Sequence, residues 1–82
     1  MVEIVYDDKF QKRYSKLKDE STKTKIKKQI QKTADNPEVG KPMRYERKGT
    51  REVYVDSFRL AYSYLPDENK VIFLNLYHKD EQ

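Results

Sequence analysis

Val2, Ile4 and Tyr6 alternate with Glu3, Val5 and Asp7, a period of two that predicts a short strand at the start of the chain. The period then changes. Phe10, Tyr14 and Leu17 recur at helical spacing, with Lys9, Lys12, Arg13 and Lys16 on the other side, and Asp7 or Asp8 is placed to cap that helix. A second helix is expected from Ser21 or Thr22, with Ile26, Ile30 and Ala34 as its apolar stripe and Asn36-Pro37 as its stop. Residues 36–50, NPEVGKPMRYERKGT, hold two prolines and both glycines, so no regular element runs through all of them. Three strands follow, Arg51 to Asp56, Phe58 to Leu65 and Lys70 to Tyr77, the last two joined by the turn Pro66-Asp67-Glu68-Asn69. The order is β-α-α-β-β-β. It predicts an α+β fold in which a helical hairpin covers one face of a largely antiparallel sheet ending in a three-stranded meander.

Alternation along these strands assigns side chains to faces. Phe58, Leu60, Tyr62 and Tyr64 form a core face, and Arg59, Ala61 and Ser63 the opposite one, where a cation flanked by small residues leaves room for a ligand. In the preceding strand Val53 and Val55 share one side and Glu52, Tyr54 and Asp56 the other; whether the polar set lies beside Arg59 depends on register, which sequence does not give. The last strand sets Val71, Phe73, Asn75 and Tyr77 against Ile72, Leu74, Leu76 and His78. Being apolar on both sides for most of its length, it is expected in the interior of the sheet.

Composition sharpens this picture. Eighty-two residues predict one small domain, residues 1–82. With 35% hydrophobic residues, the core must draw on the seven Tyr and three Phe, and Phe58, Tyr62 and Tyr64 read as core rather than as a base-stacking platform. No apolar run approaches a membrane span and the start lacks the regions of a signal peptide, so a soluble, cytoplasmic protein is expected. One His and no Cys argue against a protein-built zinc site, and no metal or other cofactor is expected. The net charge is +4, yet residues 9–32 carry ten Lys or Arg against Asp19 and Glu20, a local +8. That concentration suits a polyanion, nucleic acid or an acidic protein, as well as a plain solvated helical face. The only histidine, His78, has the ordinary pKa range for proton transfer; the plain alternative is a solvated terminal side chain beside Lys79 and Asp80.

The element order, the segment N-P-x-x-G-K-P from Asn36, the strand F-R-L-A-Y from Phe58, the hairpin D-E-N-K-V-I-F and the ending Y-H-K-D together resemble the RelE/ParE superfamily of toxin-antitoxin toxins. The likeness spans nearly the whole chain, and the Tyr-His ending is most similar to the YoeB branch. The resemblance implies a ribosome-dependent mRNA endoribonuclease, held inactive by a cognate antitoxin, in which the RNA 2′-OH attacks the adjacent phosphate and no metal is needed. Arg59 then matches the strand arginine that stabilises the transition state, His78 the acid for the leaving 5′-oxygen on the same face, and Lys79 the basic residue that follows. Glu52 and Tyr54 stand where many RelE toxins carry two basic residues, with Glu52, or Glu46 from the loop, as candidate base. Arg44, Arg47, Lys48 and Arg51 are candidate phosphate contacts of RNA, and Tyr54 and Tyr77 candidate stacking surfaces. A ParE-like toxin that blocks DNA gyrase by protein-protein binding shares the fold and needs no catalytic residues. The departures at Glu52 and Tyr54 favour it, and the His78-Lys79 ending opposes it.

Overall fold

The computed structural model describes residues 2–42 and 49–81. Its elements are β1 (Glu3–Tyr6), α1 (Asp8–Ser15), α2 (Glu20–Asp35), β2 (Lys41–Pro42), β3 (Thr50–Val55), β4 (Phe58–Leu65) and β5 (Lys70–His78), with 3₁₀ turns at Pro66–Glu68 and Lys79–Glu81. The order expected from the sequence is present, with the two-residue strand β2 as an addition.

Each helix starts on an aspartate. The Asp7 carboxylate accepts the Lys9 N–H at 3.1 Å and opens α1. At α2 the cap is Asp19, not Ser21 or Thr22: its carboxylate accepts the Ser21 N–H at 3.0 Å and the Thr22 hydroxyl at 2.8 Å. A carboxylate both satisfies orphan donors and opposes the positive end of the helix, so Ser21 and Thr22 are absorbed into the first turn. The Thr22 hydroxyl, then the Ser21 N–H, hold the Asp19 carboxyl below its ordinary range. The far end of α2 closes at Asn36, which leaves the helical region because a proline follows.

The sheet order is β1-β5-β4-β3-β2. β2, β3, β4 and β5 pair antiparallel in succession, whereas β1 joins β5 in parallel, Ile4 opposite Val71 and Tyr6 opposite Phe73. The sheet is therefore mixed. β5 is interior, which accounts for its apolar residues on both sides. Both helices cover one face. Phe10, Ile26 and Ile30 meet Val53, Val55, Leu60, Tyr62, Val71, Phe73 and Leu76 in one buried cluster. Aromatic rings tie the layers: Phe10 lies 6.0 Å from Phe73, and Phe73 lies 5.9 Å from Tyr62, centroid to centroid. The Arg13 Nε also donates to the Leu76 carbonyl at 3.0 Å, fastening α1 to β5.

The segment N-P-x-x-G-K-P finds its physical explanation here. Tyr62 is fully buried, its hydroxyl donating to the Pro37 carbonyl at 2.8 Å and accepting the Gly40 N–H at 2.9 Å. A Cβ on Gly40 would stand 2.6 Å from that hydroxyl oxygen, so the backbone approaches this closely only because residue 40 has no side chain. Arg51 closes the other side, one terminal nitrogen donating to the Glu38 and Gly40 carbonyls at 3.0 and 2.8 Å. Lys41 and Pro42 are thereby seated on the edge of β3.

Candidate functional site on the face turned away from the helices

The pairing of β3 with β4 sets Tyr54 opposite Arg59 and Glu52 opposite Ala61. Directly opposed residues of antiparallel strands share a side, so Glu52 and Tyr54 join Arg59 on the face without helices. The Arg59 guanidinium lies 4.0 Å from the centroid of the Tyr54 ring, a cation-π contact that holds it over the ring. Tyr54 is 51% exposed. Lys41, opposite Glu52 on β2, brings its Nζ to 5.4 Å from the same ring. One aromatic ring thus has two cations over it.

β5 contributes a residue that its alternation alone assigns differently. From Leu65 to Tyr62 the β4–β5 register runs Leu65 opposite Lys70 to Tyr62 opposite Phe73; it then shifts, and Ala61 stands opposite Asn75, Leu60 opposite Leu76, Arg59 opposite Tyr77 and Phe58 opposite His78. Leu74 is the extra residue of a β-bulge. One extra residue reverses the in-out phase of all that follow. Tyr77 consequently points to the Arg59 side, and its hydroxyl donates to the Glu52 carboxylate, crossing β4 where Ala61 presents only a methyl group.

The same bulge overturns the expectation that His78 shares a face with Arg59. Its ring stands edge-on to Phe58 at 5.4 Å and 85°, on the side of the helices, with Nδ1 accepting the Asp80 N–H at 3.2 Å and lying 3.4 Å from the Asp80 carboxylate. Lys79 is exposed in the closing 3₁₀ turn, where its backbone N–H donates to the Ser57 carbonyl at 2.7 Å. Arg51 likewise lies on the Val53 side of β3, its guanidinium engaged by the Glu38 and Gly40 carbonyls, and so fastens the loop instead of projecting from the Arg59 face. Arg44, Arg47, Lys48 and Glu46 lie outside the described residues. Of the site residues expected from sequence, the fold brings together Arg59, Tyr54, Glu52 and Tyr77. It adds Lys41, whose only sequence signal was its place in the G-K-P segment. Among the described residues, no group of three or more His, Cys, Asp or Glu is arranged to hold a metal ion, and no helix is long and apolar enough to cross a membrane.

Chemically, the cluster offers two cations, a carboxylate already accepting a hydrogen bond from a phenol, and an exposed aromatic ring. It can bind an anion beside a flat ring and move a proton along the Glu52–Tyr77 bond.

The backbone is similar to several solved structures. The chain in the intact E. coli RelBE toxin-antitoxin complex superposes with a TM-score of 0.82 at 15% identity, over 95% of this chain and 96% of that one. A chain of the Mycobacterium tuberculosis complex RelBE2 gives 0.80 at 22% identity, over 94% and 96%. A YoeB/ParE toxin from Agrobacterium tumefaciens gives 0.81 at 14%, over 94% and 98%. At these identities the likeness shows a common fold. No curated protein matches the sequence significantly. The profile described as the ParE toxin of the type II toxin-antitoxin system, parDE, matches residues 4–82, nearly the full length, and the chain therefore belongs to that family of toxins.

Proposed function

We propose that this toxin is held by a cognate antitoxin protein in the cytoplasm and, once released, cleaves mRNA on the ribosome without a metal. The observation that carries the reading is the gathering of Arg59, Lys41, Tyr54, Glu52 and Tyr77 on one side of the sheet. Attack by the RNA 2′-OH on the neighbouring phosphate supplies its own nucleophile. What the protein must provide is positive charge for the phosphorane oxygens and groups that take and give a proton. The guanidinium fork, held over the Tyr54 ring, suits two equatorial oxygens at once. Lys41 adds a second positive charge near the same ring, and Tyr54 offers a surface on which a base stacks.

The test is single-turnover cleavage of mRNA in a programmed ribosome. Wild type should leave 2′,3′-cyclic or 3′-phosphate ends, and Arg59→Ala should slow the step by roughly 10²- to 10³-fold, as for loss of one preorganised charge partner. A second reading, inhibition of DNA gyrase by protein-protein binding, is favoured by the family profile and by the turning of His78 to the helix side. Gyrase supercoiling assays run beside the cleavage assay decide between them: inhibition of gyrase with no cut mRNA replaces the nuclease reading.

A further inference from the structure

We infer that Tyr77 is the general acid of this site and Glu52 its general base, working as one self-restoring proton relay; the inference rests on the RNA-cleaving reading above. Three features carry it. The bulge at Leu74 sets Tyr77 next to Arg59 and turns His78, the only imidazole of the chain, to the other side of the sheet. The Tyr77 hydroxyl already donates to Glu52 Oε2. Arg59, stacked over Tyr54, stands directly opposite Tyr77 on the central strand and one pair along from the Ala61 that faces Glu52, and is where a phosphate would be held. A phosphodiester bound on that guanidinium presents its attacking and leaving oxygens to the carboxylate and the phenol together.

The proton balance closes within the pair. Glu52 Oε1 takes the proton of the 2′-OH as the 2′-oxygen–phosphorus bond forms. Tyr77 gives its proton to the 5′-oxygen as the phosphorus–5′-oxygen bond breaks, leaving a 2′,3′-cyclic phosphate and a 5′-hydroxyl. Rotation of the protonated Glu52 carboxyl then returns the proton to the Tyr77 phenolate along their existing hydrogen bond. Arg59 offsets the extra negative charge of the phosphorane throughout. No histidine, metal or external acid is consumed.

A sulfur leaving group needs no protonation, and that isolates the acid. Programmed ribosomes are given mRNA with either oxygen or sulfur at the 5′ position of the scissile bond. Tyr77→Phe should cut the oxygen substrate about 10²- to 10⁴-fold more slowly than wild type, and the sulfur substrate at close to the wild-type rate. Glu52→Gln should be slow on both. Incorporation of 3,5-difluorotyrosine at position 77 keeps ring and hydroxyl, lowers the phenol pKa and should move the alkaline limb of the pH-rate profile downward; it serves even if Tyr77→Phe folds poorly. Tyr77→Phe cutting the oxygen substrate like wild type, or losing equally on both substrates, overturns the relay, as does an unmoved alkaline limb. Those results beside an Arg59-dependent wild type sink the relay alone, whereas a wild type that cuts neither substrate removes the nuclease reading and the relay with it.

Discussion

The Tyr62 clamp gives a direct measure of how far one buried hydroxyl stabilises this fold. In Tyr62→Phe the ring still fills its fully buried place in the core, and only one oxygen is lost. That oxygen serves two backbone groups, accepting the buried Gly40 N–H and donating to the Pro37 carbonyl. The Gly40 N–H is left without its partner, a loss of about 1 to 3 kcal/mol, and the half-buried Pro37 carbonyl adds about 0.5 to 1 kcal/mol. A total of about 1.5 to 4 kcal/mol corresponds, for a domain of this size, to a fall in Tm of roughly 6 to 30 °C. Gly40→Ala should destabilise by a different route, since its Cβ would meet Tyr62 Oη at 2.6 Å, Cε1 at 2.8 Å and the Glu52 carbonyl at 3.0 Å. The ring is walled in and cannot retreat. Because removing Oη relieves the tightest of these contacts, the double variant should lose less than the two single losses together. Urea denaturation followed by circular dichroism reads all three. A Tyr62→Phe loss below about 0.5 kcal/mol, less than a typical single hydrogen bond, or strictly additive losses, would refute the clamp. Burial also raises the Tyr62 phenol above its ordinary 10.0. The unfolded chain then deprotonates first, so stability is complete below 10.0 and falls as pH rises through the folded value, a slope that Tyr62→Phe should reduce.

Two further outcomes are expected. His78→Ala should leave cleavage within severalfold of wild type, because the ring packs on Phe58 away from Arg59; a loss of 10²-fold or more in single-turnover rate, with an intact melt, would show that the imidazole reaches the reacting atoms. Asp19, with its carboxyl held below 3.8 by the Thr22 hydroxyl first, contributes stability that is present above 3.8 and lost as pH falls through its folded value. Asp19→Asn keeps a capping oxygen but should flatten that acid limb in melts taken across the range, and an unchanged limb would contradict the assignment.

Local chemistry made most elements legible. The strand from Phe58 to Leu65 alternates cleanly, and Leu60 and Tyr62 are indeed wholly buried while Arg59 faces away. The helical stripes through Phe10 and through Ile26, Ile30 and Ala34 found the core they required. The start of α2 is ambiguous in sequence because Asp19, Ser21 and Thr22 are all competent caps, and in the fold the carboxylate prevails at the positive helix end. Lys41 was present in a recognised segment, but its proximity to Tyr54 arises only when β2 pairs with β3.

The sequence by itself determined the kinds of element, their order, the core face of β4 and the chemical types available to the site, because each rests on residues close together along the chain. It also carried the N-P-x-x-G-K-P segment, whose glycine and prolines restrict the backbone locally. Tertiary structure decided which residues meet. Val71, Phe73, Ile72 and Leu74 make β5 apolar on both sides, so nothing along the strand marks the position where its phase reverses. Only pairing with β4, with Leu74 as the extra residue, exchanges His78 for Tyr77 beside Arg59 and joins Tyr77 to Glu52. The parallel placement of β1 against β5 is likewise a choice among sheet edges, which no pattern within the four residues Glu3–Tyr6 specifies.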